Sequence, residues 1–302
     1  MTALAQHPAA ASAAPARDEG ARWQSAVPLA VFYVATAAGC LLVHPTMKDL
    51  ILCDSVYVCR TFILVVAYHR YFSHRSFATS RAFQLVLGLL GASSAQQGPL
   101  WWAWAHRHHH RYSDRREDFH SPLQHGLFWS HMGWVFAPAA QATDDAAIRD
   151  LSRYPELRWL DRYWAVPLLA LAAGFFVLDG WHGLIWGFAV TTVLLWQASY
   201  CVNSLAHLIG DRRFPTRDGS RNNFLLALLT LGEGWHNNHH YYPRSMWQGF
   251  YWWQIDVAGY GVKLLEWLGL VWDVRGPPPQ VLALGRPRRA LPARAAAGLA
   301  GK

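Results

Sequence analysis

The stretch that most constrains this chain is Trp101–Asp114, WWAWAHRHHHRYSD, in which His106, His108, His109 and His110 fall within five positions. Imidazole is a common ligand of first-row transition metals. Positions i, i+3 and i+4 share one face of an α-helix, so His106, His109 and His110 converge and His108 points elsewhere. The same unit recurs as His236, His239 and His240 in GEGWHNNHH, and a looser pair, His69 and His74, stands in HRYFSH. Five residues turn through about 140° on an ideal α-helix, which predicts that the helix ends between His69 and His74. Ligands of a shared centre must lie on one side of any membrane the chain crosses.

A membrane is what the composition implies. Of 302 residues, 53% are hydrophobic and 15% charged, against about 25% charged in soluble proteins. Seventeen tryptophans and twelve tyrosines suit a lipid–water interface. The net charge of +8 would suggest nucleic acid in a soluble protein. Here the basic residues flank apolar segments, so positive-inside topology and anionic lipid explain them and no nucleic-acid partner is expected. Cys40, Cys53, Cys59 and Cys201 form no CxxC and read as small buried hydrophobes.

The expected fold is an all-α membrane protein: four transmembrane helices with the histidines gathered at the cytoplasmic side. Residues 1–26 read as a disordered tail, 27–275 as the membrane domain, and 276–302 as a disordered basic tail. The spans fall at about 27–43, 50–68, 163–178 and 183–201, the third ended by Asp179-Gly180. Asp54 and Arg60 interrupt the second, so they should face protein or snorkel. Residues 83–104 are long enough to cross, but a crossing would part His74 from His106. They read as a segment that dips in or lies along the interface and returns. Eleven Lys and Arg between His69 and Arg162 mark the cytoplasmic side, which also receives both termini. Phe224–Leu231 is too short to span, and 246–272 reads as an in-plane amphipathic helix.

The fourth span runs into Asn203 and His207, spaced i, i+4. Nine histidines then pass the geometric filter: His69, His74, His106, His109, His110, His207, His236, His239 and His240. Nine nitrogen ligands are too many for one ion, and two ions sharing four or five each would use them all. An all-histidine set suits iron, zinc, copper or nickel. Oxidising an unactivated C–H bond of a lipid chain points to two iron ions (Fe2+/Fe3+) with O2 as co-substrate. His7, His44, His108, His120, His125, His131 and His182 read as surface or interface residues. Asp114, Glu117 and Asp118 either orient histidine N–H groups or balance Arg111, Arg115 and Arg116.

At these residues the chain resembles the membrane fatty acyl desaturases of the stearoyl-CoA (Δ9) type, in a bacterial-like form without a fused electron-transfer domain. HRYFSH, HRHHHRYSD, SHMGW, NSLAHLIG and GEGWHNNHH occur in that family's order and spacing over Leu50 to Asp273. The resemblance implies four transmembrane helices with a cytosolic helical cap carrying a histidine-rich diiron site of the nine histidines, with Asn203 contributing through water. It implies a tunnel that kinks the acyl chain beside Gln96, Trp102 and Ser199. It also implies O2-dependent insertion of a cis double bond into a long-chain fatty acyl substrate. Trp104 and Ala105 replace an Arg-Asp pair that contacts CoA in animal members, and Phe119 replaces a proline. The carrier is therefore open among CoA, acyl carrier protein and intact lipid. Electrons are expected from a separate ferredoxin or cytochrome-type protein. The competing readings are a membrane diiron hydroxylase or monooxygenase, and a non-catalytic metal-binding membrane protein.

Overall fold

The computed structural model describes residues 23–285; the tail readings for 1–22 and 286–302 lie outside the described residues. Helix α1 (Trp23–Leu42) carries no charged residue. It begins four residues before Val27, inside the segment read as a disordered tail. Helix α2 (Met47–Ile63) starts at a capping box: Thr46 Oγ1 accepts from the Asp49 N–H while Asp49 accepts from the Thr46 N–H. Both pairings satisfy N–H groups that the first helical turn leaves open.

The helix ends between His69 and His74, at Ser73, one residue short of the second histidine. From Leu64 to Ser73 it widens into a π-helix, every residue of it buried. The His74 N–H donates to the His69 carbonyl, the i→i+5 bond of that geometry. A π-turn holds more than four residues, so side chains five apart come into line, and the His69 and His74 rings lie 4.9 Å apart.

Helix α3 (Arg81–Ala92) is capped by Ser80 and packs on the π-helix. A Cβ at Gly91 would lie 2.2 Å from the Tyr68 ring, so only glycine permits that approach. At roughly 18 Å α3 is too short to cross a bilayer. Ala95 and Gln97 take positive φ in the turn to α4 (Pro99–Tyr112), which brings the chain back to the histidines. His74 and His106 end up with their Nε2 atoms 2.8 Å apart, so residues 75–105 leave and return. Helix α4 has no side-chain cap of its own; Asp161 supplies one from another helix, accepting from the Leu100 and Trp101 N–H groups at 2.9 and 3.0 Å. Arg107 clamps α4 to the end of the π-helix, donating to the Phe72 and Ser73 carbonyls and pairing with Asp150.

Helix α5 (Ala165–His182) leaves helical geometry at Asp179 and Gly180, where the turn was read. A π-helical stretch, Gly183–Ala189, and helix α6 (Val190–Ser204) then run back toward the site. Of the two charges expected to avoid lipid, Arg60 is buried against neutral oxygens and Asp54 is exposed. Two helical stretches, Met47–Ser73 and Ala165–His207, are long and apolar enough to cross a membrane.

Helix α7 (His236–Tyr241) carries the last histidine unit. Residues 246–272 do not form one in-plane helix. Only Val257–Trp267 (α8) is helical, started by Asp256 capping the Gly259 N–H, and the aromatic run before it is turns and bends. Strand Ala78–Thr79 pairs antiparallel with Val271–Trp272. The expectation of disorder from Gly276 fails for the first ten residues. Pro279–Leu284 is helical, and Val281 and Leu282 pack on Phe214, Phe250 and Tyr251, a cluster too scattered in sequence to recognise. All four cysteines are free, but only Cys53 is buried and Cys59 is exposed, so the reading as buried hydrophobes holds for one.

Candidate metal centre

All nine selected histidines converge, in two groups. His69, His74, His106, His110 and His239 form one; His109, His207, His236 and His240 form the other, with ligand atoms of each group within 4.8 Å of one another. Each helix therefore serves both: α4 gives His106 and His110 to the first group and His109 to the second, and α7 gives His239 to the first and His236 and His240 to the second. The meeting atoms are Nε2. Separations are 3.0 Å for His69–His239, 2.8 Å for His74–His106 and 2.9 Å for His110–His239. In the second group they are 3.1 Å for His207–His236 and 3.3 Å for His109–His240.

The opposite ring nitrogens of four of these histidines face carboxylates. Nδ1 of His109 meets Asp118 at 3.0 Å, that of His207 meets Asp114 at 2.8 Å, and that of His240 meets Asp218 at 2.9 Å. His69 Nδ1 pairs with buried Glu233, which Arg70 also holds. A neutral imidazole that donates from Nδ1 presents a bare lone pair at Nε2. Where both rings are neutral, His109 and His240 turn two lone pairs toward each other, which repel unless a metal ion or a shared proton lies between them. This donor set fits a metal in each group, with carboxylates fixing tautomer and ring direction as they do for metal-bound histidines.

The electrostatics agree for six of the nine, whereas Asp118 and its neighbouring carboxylates raise His109 against its burial. Burial first, and then the neighbouring histidines, hold His74, His106, His110, His236, His239 and His240 well below the ordinary histidine range. They are neutral donors at physiological pH. Burial alone would raise Glu233, yet His69 and Arg70 pull it down to about 2. Asp118 is likewise held low against burial by His109 and His120.

Two narrow cavities reach the histidines and share Trp102, His106, Ser199 and Asn203 as walls. One, of about 90 Å³, runs past Gln96, Trp134 and His120. The other, of about 50 Å³, runs between Leu64, Val65 and Leu195. The three residues read as tunnel positions are tied together: Gln96 Oε1 accepts from Trp102 Nε1 at 3.1 Å and from Ser199 Oγ at 3.3 Å. Asn203 sits where the cavities meet.

A sequence model of the family described as "Fatty acid desaturase" matches residues 50–259. The chain belongs to the fatty acid desaturase family. An sn-2 palmitoyl-lipid 9-desaturase of Nostoc sp. (strain 36) is 38% identical over 221 residues, 72% of this chain and 78% of that protein. An acyl-CoA C20 Delta5-desaturase of Anemone leveillei is 36% identical over 82% of both chains. An sn-1 stearoyl-lipid 9-desaturase of Anabaena variabilis is 34% identical over 70% of this chain and 78% of that one. The desaturase is accordingly an oxidoreductase of fatty acyl chains.

Several residues of the desaturase's centre escaped the sequence reading. Glu233 stands three residues before His236, and Asp218 lies in a loop; nothing local tells either from a solvated acid. Asp114 and Asp118, left open, both face histidines, whereas the Glu117 carbonyl accepts from bystander His108. His120, read as a surface residue, is buried 4.3 Å from the His109 ring and forms a third group with His109 and Asp118. His131 and His182 are held by Ser204 and Gln197, and by Asp49, away from the centre. The two departures at Trp104 and Phe119 stack on each other, centroids 6.0 Å apart and planes at 27°.

Proposed function

We propose that the nine histidines hold two iron ions, five on one and four on the other, with Asn203 contributing through water. On this reading the protein introduces a cis double bond, at Δ9, into a long-chain fatty acyl substrate using O2 and two electrons. The observation that carries the reading is the division of nine Nε2 atoms into two adjoining sets beside cavities walled by Gln96, Trp102 and Ser199. Bound iron would supply the oxidising power to break two unactivated C–H bonds. The chain's own residues do the rest. Asp114, Asp118, Asp218 and Glu233 hold the rings in the donor tautomer. Gln96 fixes Trp102 and Ser199 as one rigid wall. Leu64, Val65 and Leu195 exclude water and grip methylenes, at about 0.8 kcal/mol each.

The same proposal takes residues 27–275 as the membrane domain, with four spans near 27–43, 50–68, 163–178 and 183–201 and the histidines and both termini in the cytoplasm. A separate ferredoxin or cytochrome-type protein supplies electrons. Trp104 and Ala105 are buried and uncharged, which offers a CoA phosphate nothing at those positions. Two of the relatives above are named for lipid substrates and one for acyl-CoA, so both carriers belong in the test. Expression in a desaturase-deficient host with fatty-acid profiling by lipid class decides. A loss of two mass units with the double bond at Δ9 supports the proposal. A gain of sixteen makes the protein a hydroxylase, and no change that depends on His239 leaves only metal binding.

A further inference from the structure

The cavity of about 90 Å³ passes Gln97 and Val135, and one side chain ties these two together at its outer end. Gln141, the last residue of the short helix Pro138–Gln141, accepts at Oε1 from Gln97 Nε2 at 3.1 Å and donates from Nε2 to the Val135 carbonyl at 2.6 Å. Both bonds lie at the exposed surface, whereas the wall farther in, at Trp101, His120 and Trp134, is buried. A side-chain amide carries two N–H groups, so each glutamine keeps one to donate after these bonds. Gln97 is held at a φ of 61°, a left-handed conformation uncommon outside glycine, and Tyr68 Oη donates to its carbonyl at 2.9 Å. The backbone is thus fixed so that this amide stands at the rim.

The rim offers donors without charge. Among the described residues no Lys, Arg, Asp or Glu lines this cavity, and Gln141 leads into exposed Asp144 and Asp145. Of the cations that follow in the chain, Arg158 pairs with Asp145 at 3.0 Å and Arg162 lies over the Tyr163 ring. A CoA or phosphopantetheine carrier brings phosphate, which calls for free arginine or lysine. Depth points the same way. Asp161, two residues before the span at 163–178, caps the first turn of α4, and Trp101 Nε1 donates to the Ala140 carbonyl at 2.8 Å, so the rim stands level with the cytoplasmic end of that span. On the other side Trp196 Nε1 donates to the Ala95 carbonyl at 3.1 Å. Trp196 lies five residues short of the end of the fourth span, roughly 7.5 Å along the helix. That interval matches the ester and headgroup layer, roughly 5–8 Å thick on each side of a bilayer. We infer that the acyl chain is delivered as an intact glycerolipid, its ester carbonyl accepting from the remaining N–H groups of Gln97 and Gln141 while the headgroup stays outside. The inference rests on the desaturation and the membrane orientation proposed above.

The test is a single turnover that needs no electron-donor protein. Full-length, iron-loaded protein in dioleoylphosphatidylcholine nanodiscs is reduced with dithionite without oxygen and then exposed to air. One arm carries 1-stearoyl-2-oleoyl-phosphatidylcholine with a fully deuterated stearoyl chain, the other an equal amount of stearoyl-CoA deuterated in the same way. Two C–D bonds break and one C=C bond forms, while O2, two electrons from dithionite and two protons complete two waters; mass spectrometry counts the deuterium lost. The lipid arm should give about tenfold more product or better, because the rim offers the phosphates no cation. Gln141→Ala and Gln97→Ala should each raise the lipid fraction needed for half-saturation about two- to tenfold, the worth of one neutral hydrogen bond. Yield at saturation and iron content should hold in both, which a merely unfolded variant would not show. As much product from stearoyl-CoA as from the lipid overturns the inference, and so does half-saturation that moves in neither variant. Product in neither arm sinks the desaturation reading instead, and native mass spectrometry then decides the carrier: retention of the deuterated lipid upholds the inference, and retention of stearoyl-CoA in its place overturns it.

Discussion

Trp102 lies flat on His106, ring centroids 5.0 Å apart and planes at 17°, while its indole N–H donates to Gln96. One side chain thereby joins the wall of the cavity to a histidine of the first group. Trp102→Leu should therefore move both: product formation falls about tenfold, and the double bond spreads to neighbouring positions because the wall no longer fixes register. Gas chromatography–mass spectrometry of derivatised products reads the spread. An unchanged single position at reduced rate would mean that Trp102 supports the fold only.

The division of ligands makes stoichiometry informative. His74→Ala removes a member of the first group and His236→Ala one of the second. Each should lower iron from about two per chain to about one, since the untouched group keeps all four or five of its nitrogens. Elemental analysis of purified protein measures this. Complete loss in both variants would show a single cooperative site.

Glu233→Gln removes the carboxylate that faces His69 Nδ1 but leaves Arg70 paired with Asp256. Metal affinity should drop about 10- to 100-fold, the usual effect of losing such a partner, with little change in folding. Competition against a chelator gives the ratio. Asp218→Asn should do the same through His240 in the other group.

Asp161→Ala takes away the acceptor for two N–H groups at the start of α4. Loss of an N-cap costs about 1 kcal/mol, and here the frayed turn carries Trp101 and Trp102. The melting temperature should fall by a few degrees, about the shift expected for that loss in a chain of this size. Metal content should hold, because His106 lies beyond the first turn.

The histidines were legible because their spacing is a property of the α-helix: three and four residues share a face whatever the rest of the chain does. The return of residues 83–104 was legible for a related reason, since His74 and His106 must meet. What was not legible depends on contacts far apart in sequence. Asp161 reaches Leu100 across 61 residues, and Glu233 reaches His69 from the far end of the fold. The helix at Pro279–Leu284 exists because Phe214 and Tyr251 receive it. Arg60 could be foreseen to avoid lipid, but not to do so without an acid.

The widened turn at Leu64–Ser73 sets a rule for how this enzyme can change. In an ordinary α-helix the first two histidines would have to stand three or four apart, as they do in the other boxes. Here the backbone hydrogen bonds reach five residues instead of four, and the five-residue interval lines the two rings up. Tightening this stretch to an ordinary α-helix without removing a residue would leave His74 about 140° around the helix from His69, out of line with it. The interval and the helix type can vary only together, so the gap in HRYFSH is as restrictive as the histidines that bound it.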